Sequence, residues 1–163
     1  MFTFTKKTDY ALLALSFLAT QGRERLVGPR EIAGRYHIPA ELLAKVMQTL
    51  ARHRLVTSVA GPTGGYRLAR TASEISVADV VEAVDGPMAI AQCWDDTGLS
   101  GCAQASQCHL RGPLAQIQDE ISRMMRAMTL EDVCRSTPAP AAPRRVFDKA
   151  AVLPVVGAES SVR

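Results

Sequence analysis

Apolar positions along the chain change their period several times, and each change marks an element. A dense apolar run over residues 10–19, with Gly22 just beyond it, predicts a first helix over about 7–20. A second helix begins around Pro29, because proline fits a first helical turn, and it carries Ile32 and Ala33 inward before stopping near His37. Pro39 opens a third, in which Leu42, Leu43, Val46, Met47 and Leu50 recur at helical spacings. Two helices joined by so short a turn form a candidate helix-turn-helix. Residues 56–60 and 66–69 then read as short strands. Between them lies Gly61-Pro62-Thr63-Gly64-Gly65, which is rich in residues that supply turn dihedrals. A hairpin directly after a helix-turn-helix is the wing of a winged helix.

A fourth helix is expected over 77–84, with Ser76 as its N-cap and Gly86-Pro87 ending it. Further on, Gly112-Pro113 introduces the most regular pattern in the chain. Leu114, Ile117, Ile121, Met124 and Met128 follow at spacings of 3, 4, 3 and 4, with Gln, Glu, Ser and Arg on the other faces. This is a coiled-coil-like seam of about two heptads, too short to stand alone. It is read as a dimer seam, because a DNA reader gains from two-fold symmetry; packing on its own domain is the alternative. Beyond Cys134, the segment Ser136-Thr137-Pro138-Ala139-Pro140 cannot continue a helix and has little to bury, so a disordered tail is expected. The expected fold class is therefore mainly α with a small β wing: a winged helix-turn-helix over 1–86, a cysteine-rich loop over 87–111, a long C-terminal dimerisation helix over 112–135 and a tail over 136–163.

Charge adds direction to this outline. The 163-residue chain has a net charge of +3, but the balance is uneven. Residues 1–75 carry eleven Lys or Arg against five Asp or Glu, and residues 76–163 carry eight against eleven. A basic N-terminal half suits a protein that presents one face to phosphate. The apolar run over 10–19 is too short to span a bilayer, and no secretory signal pattern opens the chain, so a cytoplasmic location and no membrane partner are expected. There is no Cys-x-x-Cys, no glycine-rich phosphate loop and no His-Glu-x-x-His, and His37, His53 and His109 are scattered, which argues against an enzyme.

The chemistry sits in one loop. Cys93, Cys102 and Cys108 fall within it beside Asp95, Asp96 and His109. In a cytoplasmic protein such a cluster is for metal or redox work rather than for structural disulfides. Thiolates on loop backbone suit a soft metal centre. Three thiolates leave a fourth position, for which the adjacent His109 imidazole is a candidate; on spacing alone a structural zinc site stays open as well. Cys134 reads as a free buried cysteine.

For DNA, the start of the second helix of a helix-turn-helix reaches base edges. That nominates Glu41, Lys45 and Gln48, with Ala40 and Ala44 as thymine-methyl contacts. Arg30, Arg52 and Arg54, with Lys6 and Lys7, are placed for phosphate. In the wing, Tyr66 and Arg67 are candidates for the minor groove.

Several segments resemble one family. Thr8-Asp9-Tyr10-Ala11, Arg30-Glu31-Ile32-Ala33, Gly64-Gly65-Tyr66-Arg67-Leu68-Ala69-Arg70 and the helix ending Asp85-Gly86-Pro87 look like the Rrf2 family, over residues 2–133. The opening and the wing motif are most similar to its regulators of SUF-type iron–sulfur assembly. The resemblance implies a homodimeric winged-helix repressor on a pseudo-palindromic operator in double-stranded DNA. It also implies that Cys93, Cys102 and Cys108 hold an iron–sulfur cluster, 2Fe-2S or 4Fe-4S. In NsrR-like members a carboxylate on the partner's first helix completes the cluster, which makes Asp9 the rival of His109 and the preferred fourth ligand. A nitric-oxide-sensing repressor is the alternative within the family, and a zinc-stabilised regulator is a further one. Two departures bear on the operator: Ala44 and Ala60 stand where IscR-like members carry a glutamate and an arginine. The eight-residue gap between Cys93 and Cys102 exceeds the usual five, an insertion that loops tolerate cheaply.

Overall fold

A computed structural model of the chain describes residues 4–90 and 107–135. Cys93, Cys102 and the expected tail over 136–163 lie outside the described residues. The order of elements is α1 (Lys6–Thr20), α2 (Pro29–Tyr36), α3 (Ala40–Arg52), β1 (Val56–Val59), β2 (Gly65–Leu68), a 3-10 turn (Ala72–Glu74), α4 (Val77–Asp85), α5 (Arg111–Ala127) and α6 (Leu130–Arg135).

The helix boundaries have local causes. Thr5 caps α1, its hydroxyl accepting from the Thr8 N–H at 3.3 Å. Proline sits in the first turn of α2, and His37 closes that helix in the left-handed region at φ 53°. Its backbone turns the chain through Ile38 and Pro39 into α3. At α4 the expected Ser76 cap is a reciprocal capping box: Ser76 Oγ accepts from the Asp79 N–H, and Asp79 Oδ2 accepts from the Ser76 N–H, both at 3.0 Å.

One core unites these pieces. Ala11, Ala14, Leu15 and Leu18 of α1 meet Ile32 of α2, Leu43, Val46, Met47 and Leu50 of α3, and Val80 and Ala83 of α4. Ile75 and Leu130, both fully buried, close it from the side. Phe17 and Tyr36 add an edge-to-face ring pair with centroids 6.1 Å apart.

The wing is an antiparallel hairpin with Val56 opposite Leu68 and Val59 opposite Gly65. It has a third edge that the sequence did not announce. Val27, just ahead of α2, pairs with Tyr66 through two backbone hydrogen bonds of 3.0 and 2.9 Å. Gly65 is needed for that approach, since a Cβ there would lie 2.6 Å from the Val27 carbonyl oxygen.

The single helix expected over 112–135 is a correction. Met128 takes extended backbone at φ −85°, ψ 116°, ending α5, and α6 starts two residues later. Thr129 and Asp132 cause the break with a second capping box: the Thr129 N–H donates to Asp132 Oδ2 at 3.0 Å, and the Asp132 N–H donates to Thr129 Oγ1 at 3.2 Å. The Thr129 hydroxyl, which donates to Asp132 Oδ2 at 2.6 Å, and then the Thr129 N–H hold the Asp132 carboxyl below its ordinary value. Met128 and Leu130 then bond back across Ser76, the Val77 N–H to Met128 O at 2.9 Å and the Leu130 N–H to Ile75 O at 2.8 Å.

Candidate DNA interface and the base of the cysteine loop

Helix α3 has two opposite faces. Leu43, Val46, Met47 and Leu50 are buried in the core, which leaves Glu41, Lys45, Gln48 and Arg52 in an exposed stripe on the other side. Ala40 is exposed at its first turn, and Ala44 is half-buried beside the stripe. Among the described residues, Glu41, Lys45 and Gln48 make no hydrogen bond or ion pair, so their polar ends are free for a ligand. The Arg52 guanidinium donates to Thr49 Oγ1 at 3.0 Å. Arg30, also exposed, projects from the first turn of α2.

Beside this stripe, the end of α3 and the hairpin enclose an open groove of about 810 Å³ lined by His53, Arg54, Thr57, Ser58 and Arg70. Arg54 holds the turn into β1 in the left-handed region at φ 57°. Its neighbour Arg70 is engaged, 3.7 Å from Asp79 and bonded to the Glu74 carbonyl at 3.2 Å. The two wing nominees differ from one another. Tyr66 is half-buried against the core and held by Val27. Arg67 is partly exposed and pairs with Glu24 at 3.6 Å, a weak contact because Glu24 is almost fully exposed. Lys6 and Lys7 are exposed at the start of α1.

The residues that flank the cysteine loop are more constrained than their sequence suggests. Asp85, the last residue of α4, accepts two hydroxyl hydrogen bonds from the start of α1: Thr5 Oγ1 at 2.7 Å and Thr8 Oγ1 at 2.6 Å. Thr8 is fully buried. Asp9 follows it in the first turn, half-buried. Thus the helix that carries the candidate carboxylate ligand is clasped to the chain leading toward Cys93. Nothing in the sequence paired residues 77 positions apart.

A second tie lies on α5. Gln118 Oε1 accepts from the Ile90 N–H at 2.9 Å, and Gln118 Nε2 donates to Met88 O at 2.7 Å. Arg126 reaches Glu82 of α4 at 2.6 Å. Gln118, Ser122 and Arg126 therefore form the stripe of α5 that faces its own protomer. The apolar seam lies on a different face: Leu110, Ile117, Met124 and Met128 are all exposed, and Leu114 and Ile121 are half-buried.

Of the candidate ligands, Cys108 is a free, half-buried thiol just ahead of α5, and His109 is exposed beside it. A soft sulfur donor, an imidazole and the Asp9 carboxylate together fit an iron centre. No group of three metal-binding side chains gathers among the described residues, which leave out two of the three loop cysteines. Cys134, expected to be buried, is exposed on α6, its Sγ 3.9 Å from the Ser16 carbonyl oxygen. No described helix is long and apolar enough to cross a membrane.

The profile of the Rrf2 family, described as an iron-dependent transcriptional regulator, matches residues 4–136. The HTH-type transcriptional regulator NsrR of Oceanobacillus iheyensis is 30% identical over 131 residues, 80% of this chain and 88% of that protein. The HTH-type transcriptional regulator IscR of Photorhabdus laumondii is 33% identical over 129 residues, 79% of this chain and 77% of that one. Among solved structures, CymR, the global cysteine regulator of B. subtilis, aligns with a TM-score of 0.68 at 24% identity, covering 84% of this chain and 99% of that one. At that identity the likeness speaks for the fold.

Proposed function

The chain belongs to the Rrf2 family of transcriptional regulators, and from that premise we propose that it is a homodimeric, DNA-binding repressor whose operator affinity follows an iron–sulfur cluster held by Cys93, Cys102 and Cys108. Its targets are genes of SUF-type iron–sulfur assembly. The observation that carries this reading is the wiring at the foot of the cysteine loop. Residues 85–90 are bonded to α1 through Thr5 and Thr8 and to α5 through Gln118.

A bound cluster supplies a tie among the three thiolates that depends on iron supply and oxidation. The rest is done by the chain. Asp9 supplies the fourth donor, reached across the dimer, and α5 supplies the seam between the two copies. Glu41, Lys45 and Gln48 read bases while Arg30 and Arg52 hold phosphate. Rotation of one winged helix against the other changes the spacing of the two α3 helices and so the fit to the operator. A coupling of about 1–3 kcal/mol, a 5–150-fold change in affinity, is the expected size.

The test is anaerobic purification with visible absorbance and iron and sulfide analysis, then binding to the chain's own promoter with and without the cluster. Cluster-dependent affinity supports the sensor. Equal affinity in both states makes this a plain winged-helix repressor. Replacing Asp9 and His109 in turn by alanine identifies the fourth ligand: a cluster retained in Asp9→Ala and lost in His109→Ala reverses the assignment made here.

A further inference from the structure

Gln118 has the chemistry of a backbone substitute. A carboxamide holds an acceptor and a donor in one plane, as a peptide group does, and carries one further amide proton. Here its oxygen accepts from the Ile90 N–H while its nitrogen donates to the Met88 carbonyl, so the side chain stands where a neighbouring strand would put a peptide. Ser122, one turn further along, takes the remaining amide proton at 3.3 Å, while the donor-only Ile90 N–H and the acceptor-only Met88 carbonyl fix which way the carboxamide faces. No other side chain type except asparagine offers this pair, and asparagine is one methylene shorter.

The position matters as much as the chemistry. Residues 88–90 precede Cys93 in sequence by only three residues, and Cys108 stands three residues before the start of α5. Gln118 lies seven residues into that helix, about 10 Å along its axis. The lead-in to the first cysteine is therefore held at a defined height on the same rod that the third cysteine enters, by bonds that need no metal. The adjoining face of that rod bears the exposed apolar seam.

We propose that Gln118 is a positioning residue: it registers residues 88–90, the lead-in to the cysteine loop, on α5 before any cluster forms, and so slows the loss of a cluster once bound. This rests on the cluster reading above, and the experiment separates the two. Full-length protein is compared with Gln118→Leu, which loses both bonds, and with Gln118→Glu, which keeps the Ile90 bond and sets a carboxylate against the Met88 carbonyl. Amide hydrogen exchange is measured at Ile90 in metal-free protein, and loss of visible absorbance to a chelator is measured in anaerobically reconstituted protein.

In the leucine variant the Ile90 amide exchanges roughly tenfold faster, as for one lost hydrogen bond. Cluster release is accelerated in the same variant, the glutamate variant lies between, and thermal unfolding of the metal-free chain changes little. Equal Ile90 protection in all three proteins overturns the proposal. So does lost protection with unchanged release. A wild-type chain that takes up no iron overturns the cluster reading instead, while the exchange series still decides whether Gln118 holds residues 88–90.

Discussion

Helices α3 and α5 are written in nearly the same pattern and are used in opposite ways. Each places apolar residues every three or four positions with polar residues between. Helix α3 sinks most of its stripe, with Leu43, Met47 and Leu50 fully buried and Leu42 half-buried, and offers its polar side outward. Helix α5 has no buried residue; it meets its own domain with Gln118, Ser122 and Arg126 and leaves Ile117 and Met124 to solvent. Amphipathic period alone does not say which face a helix spends on its own fold. A stripe left exposed among the described residues is what the proposed dimer would bury.

Substitutions can break this contrast, and the largest effect belongs to the buried stripe. Leu50→Ala is expected to cost about 2–5 kcal/mol of folding stability, read by denaturant unfolding. A loss under 1 kcal/mol would mean the core is looser than the packing of α3 implies. Next comes the seam. Ile117→Glu puts a carboxylate where the proposed dimer brings two α5 helices together, and desolvating it there costs several kcal/mol. Sedimentation should show monomer and operator binding should weaken, while the helical signal of the protomer persists; an unchanged dimer would assign the seam to another role. On the outward side of α3, Lys45→Ala should weaken specific binding by roughly 1–3 kcal/mol if Lys45 reads a base. A loss that is uniform across sequences, with a shallower salt dependence, makes it a phosphate contact.

The smallest effect is at the end of α5. Thr129→Ala removes the cap that starts α6 and should cost about 1 kcal/mol. Asp132 adds a pH signature. Its carboxyl titrates below the ordinary 3.8, because Thr129 and then Arg135 favour the charged form. The stabilisation it gives is therefore present above the unfolded value and is lost as pH falls through the lower folded one. The difference between wild type and Asp132→Asn should be full at neutral pH and vanish in strong acid. A difference that persists there would mean the cap does not depend on the charge.

Much of this was legible because it is local. The order of α1, α2, α3, hairpin and α4 follows from period, proline position and turn residues within a few positions of each boundary. The Ser76 cap was visible as a serine before an apolar run. The break at Met128 was also written in the chain, as Thr129-Leu130-Glu131-Asp132, yet the regular apolar spacing hid it by continuing through Met128. What could not be read were pairings set only by the tertiary fold. Nothing near Thr8 announces Asp85, nothing near Gln118 announces residues 88–90, and Val27 gives no sign of being a third edge of the wing. Tyr66 shows the same limit. Its half-buried ring packs against the core and its backbone is bonded to Val27, a partner its own neighbours in sequence do not announce.

The bond pair between Val27 and Tyr66 has a wider consequence. It fastens the root of the hairpin to the residue that leads into α2, so α3 and the wing form one stiff gauge with a fixed gap between its jaws. A gauge so fastened resists flexing within a subunit, and in the proposed dimer the remaining adjustment is the tilt of one gauge against the other. Retargeting this protein to a new site therefore means changing what is mounted on the jaws, or the angle between the two gauges, and leaving Gly65 untouched.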